Sequence, residues 1–301
     1  MKLHAHPKAL TTPLSGGTQG ATVVVEPVST GQVRFPRASF EREEGPFHKL
    51  KTWGVWGERW WVPCPVFIVR HPTAGLILID TGLHPSIATD PRQNYGRLPA
   101  WYAKPMQEAG QDMPAQLRAR GLDARQVNVV IMTHLHADHA SGISEFPNAT
   151  FVVSAAEWKA ATDDPGPGML RGYHLPHYDF VFDYRTIDYG SVDVDSYASF
   201  GRTFDLFGDG SVRLAYTPGH TAGHQSVILR LRRRDFVVAG DAIYTFRQLE
   251  GGPEPGRMVD EHNWRRSLQE LQLYHRDYPH ALIVPGHDPA YWPKLDTRYE
   301  E

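Results

Sequence analysis

Cysteine is nearly absent: Cys64 is the single one in 301 residues, which excludes an intrachain disulfide framework. Flanked by Pro63 and Pro65, it reads as a packed residue at a strand start rather than a nucleophile, since a buried free thiol behaves as a small hydrophobe. No apolar run approaches the ~20 residues that a membrane-spanning helix needs. The opening Met1-Lys2-Leu3-His4-Ala5-His6-Pro7 lacks the apolar core of a secretory signal, so a cytoplasmic protein with no membrane partner is expected. Charge of one sign is also lacking. A formal net charge of −3 offers no basic surface for nucleic acid. No internal repeat with a period of roughly 20–50 residues is visible.

Histidine, by contrast, is abundant, with 16 residues, and its placement is not random. Thr133-His134-Leu135-His136-Ala137-Asp138-His139 packs three imidazoles and a carboxylate into six residues, directly behind the apolar run Val127-Asn128-Val129-Val130-Ile131-Met132. Those ligand types suit zinc or a similar borderline metal. His134 and His136 fall on one side of an extended segment, because side chains two apart point the same way. Asp138 and His139 follow a turn and can face a second position. One hydrolytic metal uses about three protein ligands, so the surplus suggests two.

Further candidates obey one rule, in which a buried-type strand runs into Thr, Gly or Pro-Gly punctuation and then His or Asp. Val212-Arg213-Leu214-Ala215-Tyr216 leads to Thr217-Pro218-Gly219-His220, and Phe236-Val237-Val238-Ala239 leads to Gly240-Asp241. Ala281-Leu282-Ile283-Val284 leads to Pro285-Gly286-His287, and Leu76-Ile77-Leu78-Ile79 leads to Asp80-Thr81-Gly82. A lone His or Asp after a strand is ordinarily a turn or cap residue. Beside the compact cluster, His220, Asp241 and His287 read instead as further ligands. Asp80 fits better as a carboxylate that orients a ligand imidazole.

This set resembles the metallo-β-lactamase-fold hydrolases, from about residue 61 to residue 289. The resemblance implies an α/β, αββα sandwich of two mixed sheets with helices on the outer faces. It also implies two divalent metal ions, zinc foremost. One would be held by His134, His136 and His220, the other by Asp138, His139 and His287, with Asp241 bridging. Within the superfamily, Tyr244, three residues after Asp241, looks like the N-acyl-homoserine lactonases of the quorum-quenching branch. So do Pro65-Val66-Phe67-Ile68-Val69 and Gly286-His287-Asp288. The implied reaction is opening of the lactone ring by a metal-bridging hydroxide, with Asp138 as proton shuttle and Tyr244 as oxyanion donor. That branch commonly has an aromatic residue where this chain has Ala137, which bears on the shape of the acyl pocket. Esters, thioesters, phosphotriesters and β-lactams are the alternative substrates on the same scaffold. A flavo-di-iron protein is disfavoured by Asp138 and by the lack of a flavin domain; a metal-free module is disfavoured by the full ligand set. The expected partner is a small-molecule substrate, for a monomer or homodimer.

The domain plan has a loose arm over 1–20 and one domain over 21–301, with an insertion near 163–199 bordering the site. That stretch is rich in Gly, Pro, Tyr and Asp, and long loops in compact domains are usually functional or disordered. Thr22-Val23-Val24-Val25 reads as a first strand. Residues 115–121 read as a short helix closed by Gly121, and 263–278 as the clearest amphipathic helix. Trp53, Trp56, Trp60 and Trp61 crowd nine residues. They read either as a hairpin packing the core or as a loop lining an acyl pocket. Arg232-Arg233-Arg234 reads as a solvated hairpin turn.

Overall fold

Branched apolar residues alternate faces along the strands, and two sheets result. A computed structural model describes residues 3–163 and 171–301. Among these, the first sheet has the order β1-β7-β6-β5-β4-β3-β2, from β1 (Lys8–Ala9), β2 (Val24–Pro36), β3 (Arg59–His71), β4 (Gly75–Ile79), β5 (Val127–Ile131), β6 (Thr150–Ser154) and β7 (Asp183–Ile187). The second has the order β13-β12-β11-β10-β9-β8, from β8 (Asp195–Tyr197), β9 (Phe200–Asp205), β10 (Val212–Tyr216), β11 (Gln225–Arg230), β12 (Asp235–Gly240) and β13 (Leu282–Pro285). Both are mixed sheets: β4 to β7 run parallel in the first, and β12 and β13 run parallel in the second.

Period-two alternation decides the layering. Ile77, Ile79, Val129 and Ile131 face inward and meet Leu214, Val227, Phe236 and Val238 of the other sheet. Leu76, Leu78 and Val130 face outward and pack under α5 (Met113–Ala119) and α7 (Ala155–Thr162) through Met113, Leu117 and Trp158. On the opposite outer face, Ala215, Val237 and Ile283 pack under α9 (Glu261–Asp277) through Leu271 and Tyr274. The order of layers is helix, sheet, sheet, helix, as the resemblance implies. The short helices are α1 (Arg37–Phe40), α2 (His48–Thr52), α3 (Pro91–Tyr95), α4 (Arg97–Ala103), α6 (Ala137–Ala140) and α8 (Phe246–Leu249), and residues of α1, α3, α4 and α6 line one cavity. No helix among the described residues is long and apolar enough to cross a membrane.

Cap residues set the helix starts. Asp112 accepts from Ala115 N–H at 2.9 Å and Asp260 from Asn263 N–H at 2.9 Å. Both helices therefore begin two residues earlier than periodicity alone suggests. The first long strand also runs far beyond Val25, through a bulge near residue 31, to Pro36. The Arg232–Arg234 turn joins β11 to β12, with Leu231 N–H donating to the Arg234 carbonyl.

Two expectations are corrected. The expected insertion at 163–199 falls partly, at 164–170, outside the described residues. The remainder is no plain loop: it contributes β7 to the first sheet and β8 to the second. Its Asp, Tyr and Arg content hides β7, where only Tyr184 and Ile187 are buried. Nor is the arm loose from residue 3 onward. His4 and Ala5 N–H donate to the Asp179 carboxylate, β1 pairs with β7, and Leu10 enters the inter-sheet core. The arm covers the β7 edge, which would otherwise present unpaired backbone groups.

Leu10→Ala tests that docking. A loose arm would register no change, whereas removing this buried side chain should cost about 2–4 kcal/mol, read as a drop in the denaturant midpoint.

Candidate metal centre

Strand direction brings the site together. β10, β12 and β13 run the same way, so His220, Asp241 and His287 leave the second sheet at one rim. β4 and β5 do the same for Asp80 and His134 in the first. His136 then caps α6, whose first turn carries Asp138 and His139. Gly219 makes the approach of His220 possible. Its φ is +133°, and a Cβ there would lie 2.3 Å from the Trp264 backbone.

All seven expected ligand side chains converge in two groups. In the first, His220 Nε2 lies 3.2 Å from His134 Nε2, 3.0 Å from His136 Nδ1 and 3.2 Å from Asp241 Oδ2. In the second, His287 Nε2 lies 3.3 Å from His139 Nε2, 3.4 Å from Asp138 Oδ2 and 3.3 Å from Asp241 Oδ1. Asp241 thus turns one oxygen to each group. Within each group the ligand atoms lie within 4.8 Å of one another.

A cation fits this arrangement better than hydrogen bonds do. Facing imidazole nitrogens can share only one proton, and Asp241 Oδ1 is buried with no aligned donor. The remote ring nitrogens explain which lone pairs point inward. His287 Nδ1 is 2.8 Å from the Pro63 carbonyl, which can only accept, so Nδ1 carries the proton. His139 Nδ1 donates to Asp80 Oδ2 at 2.7 Å. The Thr133 hydroxyl donates to the same oxygen at 2.8 Å and so accepts from His134 Nδ1 at 3.1 Å. His220 Nδ1 meets the Tyr244 hydroxyl at 2.7 Å. Asp80 therefore orients imidazoles, as expected, and orients two of them.

The electrostatics agree. Burial drives the pKa of His134 and His220 well below the usual imidazole range, and that of His136 to about 4. These three rings stand neutral, with lone pairs available. Burial also opposes charge on His139, but Asp80, Asp138 and Asp241 overcome it and lift the ring to about 10. Burial would raise Asp241, yet His287, His220 and His139 hold it well below the carboxylate range. Buried carboxylates in such number call for a positive charge, which a proton on His139 supplies in part and a divalent cation would supply fully.

Two residues carry this geometry without having stood out in the sequence. Glu157, fully buried on α7, accepts four hydrogen bonds. Leu135 N–H (2.9 Å) and the Tyr173 hydroxyl (3.1 Å) reach Oε1, while the Thr221 hydroxyl (2.6 Å) and Gly223 N–H (3.1 Å) reach Oε2. It ties the His134-Leu135-His136 segment to the loop after His220. His224, held neutral by burial with a pKa near 4, accepts from Asp241 N–H at 2.9 Å. It supports the backbone of Asp241, and its ring centroid lies 5.4 Å from that of His134.

A cavity of about 690 Å³ opens over the cluster. His136, Asp138, Asp241, Tyr244 and His287 form its polar end, and Phe35, Phe40, Leu98, Trp101 and Tyr102 lie on its apolar wall. The tryptophan cluster divides. Trp53 lines the cavity, and Trp60 backs it by stacking on Phe40, with ring centroids 6.4 Å apart. Trp56 instead meets Phe47, and Trp61 meets Arg34. Leu98 and Trp101 come from α4, which no sequence periodicity announced. Of the stretch 163–199, Tyr173 and His174 border the site; Tyr173 pairs with His136 in a β-bridge. Cys64 lies buried behind the cluster, its thiol pushed up by burial, and serves packing.

The sequence profile of the metallo-beta-lactamase superfamily matches residues 59–287. An N-acyl homoserine lactonase, AttM, of Azorhizobium caulinodans is 33% identical over 249 residues, covering 82% of this chain and 90% of its own. A crystallised N-acyl homoserine lactone hydrolase with N-hexanoyl-L-homoserine at its catalytic metal centre superposes with a TM-score of 0.74 at 21% identity, covering 92% of this chain and 98% of its own. AidC, described as a dizinc quorum-quenching lactonase, does so at 0.54 and 15%, covering 92% and 91%.

Glu157→Gln should loosen the centre without emptying the core. The amide keeps the shape but turns an NH₂ toward donors, and each unsatisfied buried group costs about 1–3 kcal/mol. Bound metal should escape faster to a chelator than from the unaltered protein. Equal escape rates would make Glu157 a packing residue only.

Proposed function

Because this chain belongs to the metallo-beta-lactamase superfamily, we propose that it hydrolyses the lactone ring of N-acyl-homoserine lactones. The observation that carries this reading is Tyr244. Its hydroxyl meets His220 Nδ1 at 2.7 Å, and its ring lines the cavity beside Asp138 and His287. Similarity to AttM over most of both chains supports it.

His134, His136 and His220 would hold one divalent cation, zinc foremost, and Asp138, His139 and His287 a second, with Asp241 shared. Together such ions supply a water of lowered pKa and polarise a carbonyl. The remaining chemistry belongs to the chain. With His220 Nε2 facing the ligand group, Nδ1 bears the proton and the Tyr244 oxygen accepts it. That leaves the phenolic O–H to donate. Burial and the nearby Asp241 charge raise the phenol pKa well above its usual value, so the proton stays on. A hydrogen bond from this O–H to the carbonyl oxygen of the lactone stabilises the negative charge that develops when water adds. The ring C–O bond then breaks, and the departing oxygen needs a proton. Asp138, at the cavity surface, takes one from the attacking water and returns it to that oxygen. The product is the N-acyl-homoserine carboxylate. The apolar wall takes the acyl chain, at about 0.8 kcal/mol per buried methylene.

Two measurements test the reading. Mass spectrometry of the gently purified protein should find two metals per chain, and a pH-stat assay should show acid release from acyl-homoserine lactones. A content fixed at one metal despite added zinc, cobalt or manganese would overturn the dinuclear site. No acid release from any acyl lactone would overturn the activity.

Tyr244→Phe removes one hydroxyl. It should lower kcat/KM on lactones at least ~10-fold, about 1.4 kcal/mol of transition-state stabilisation. An unaltered kcat/KM would confine Tyr244 to holding His220.

A further inference from the structure

Apolar side chains protrude around the mouth of the cavity. Trp53, Leu98, Trp101 and Val259 line it, yet each is at least half exposed. α4 is two-faced: Ala100 and Ala103 are buried, while Leu98 and Trp101, three residues apart, stand 65% and 72% exposed. The loop around α2 adds Phe47, Leu50, Val55 and Trp56, all exposed. Phe47 and Trp56 pack on each other, with ring centroids 5.4 Å apart. Loop and helix adjoin, since a Cβ at Gly54 would lie 3.6 Å from Tyr102 Cε2. Eight of the 13 exposed large hydrophobic residues among those described thus lie in the three segments that border one opening. Such a concentration marks a contact surface rather than scattered exposure.

The charge of the same segments says what the contact is. Residues 45–57 and 91–104 carry Lys49, Lys51, Arg92, Arg97 and Lys104 and no Asp or Glu, in a chain of net charge −3. Glu43, Glu44 and Glu58 flank the loop, but Lys51 holds Glu43 at 2.6 Å and Arg37 holds Glu58 at 3.6 Å. Lys49, Arg97 and Lys104 stand exposed. Protein interfaces are depleted in Lys. Trp, Phe and Leu interleaved with Lys and Arg suit instead the headgroup layer of a bilayer, where indole rings sit between water and alkyl chains and basic side chains meet anionic lipid. We propose that this face docks on an anionic membrane surface, with the cavity mouth against the lipid. A surface contact needs no spanning helix, and it leaves no apolar run in the sequence, because folding assembles it from segments far apart in the chain. The contact goes beyond the lactonase reading and does not depend on it; on that reading, acyl chains dissolved in lipid enter the apolar wall directly.

The test is cosedimentation of the metal-loaded protein with vesicles of phosphatidylcholine mixed with phosphatidylglycerol, and with vesicles of phosphatidylcholine alone. Binding to the mixed vesicles should be at least ~10-fold stronger, since each basic residue near an anionic surface adds about fivefold, and added salt should weaken it. Leu50→Ser combined with Trp56→Ser removes two exposed side chains that do not line the cavity, and should lower binding at least ~10-fold. Lys49→Glu combined with Lys104→Glu should erase the preference for anionic lipid. Val192→Ser, at an apolar side chain 99% exposed on another segment, should change nothing. All variants are compared at matched thermal midpoints. No binding to the mixed vesicles would overturn the proposal, as would equal binding to both kinds or binding untouched by either pair of changes. A dimer in sedimentation velocity that the Leu50 and Trp56 changes separate, with no vesicle binding, would assign the face to a second copy and also overturn it. Vesicle binding without hydrolysis of any acyl lactone would support this surface and overturn only the lactonase reading.

Discussion

Asp80 stands where β4 leaves the first sheet, in a left-handed backbone conformation with φ of +62°. Its carboxylate accepts from Thr133 N–H at 2.7 Å, from the Thr133 hydroxyl and from His139 Nδ1. Three donors on one buried carboxylate fix both the path of the chain out of β5 and the tautomers of two imidazoles. A non-glycine residue in that region of backbone space costs about 1–3 kcal/mol, and these hydrogen bonds offset it. Without them, His134 and His139 would lose the partners that aim their lone pairs inward, and the rim of the first sheet would no longer face the second in register.

The second sheet meets that rim through groups that belong to neither set of ligands. Glu157 holds Leu135 of one sheet to Thr221 and Gly223 of the other. His224 holds the backbone of Asp241, and the Gln225 side chain donates to the Met132 carbonyl at 2.8 Å. The inter-sheet core is apolar and non-directional; it sets the spacing of the sheets but cannot set the angle of a ligand. Directional bonds at the rim do that. The result gathers buried carboxylates and, at His134, His136 and His220, neutral imidazoles around a volume where positive charge is needed, an unfavourable arrangement unless a cation answers it.

The cavity follows from what surrounds the centre. Ala137 contributes little bulk beside it, while Phe40 closes edge-on against Tyr244 with ring centroids 5.1 Å apart. Aromatic side chains of α4 and the loop after α2 form the far wall. The tyrosine and the wall are rigidly related: Glu41, at the end of α1, accepts from Arg247 on α8 at 2.9 and 3.0 Å. One end of the cavity can therefore polarise a carbonyl while the other shelters apolar groups.

Much of this was legible in the chain. Strands of branched residues ending in Gly, Pro or Thr and then His or Asp are local patterns, so the candidate ligand positions could be read from the chain, and the layered fold followed from the family resemblance that those residues carry. β7 could not, because its polar residues conceal a strand whose pairing comes from neighbours. The arm at residues 3–10 was equally opaque: its order depends on Asp179 and the β7 edge, far along the sequence. Glu157 looks like any solvated helix residue until Thr221, 64 positions later, closes on it. Leu98 and Trp101 acquire meaning only because folding sets them around one cavity. Residue type and short-range spacing determined which groups could bind metal. Tertiary structure alone decided which of them meet, which oxygen of Asp241 faces which group, and what lines the space above them, because those depend on contacts between segments that no local pattern records.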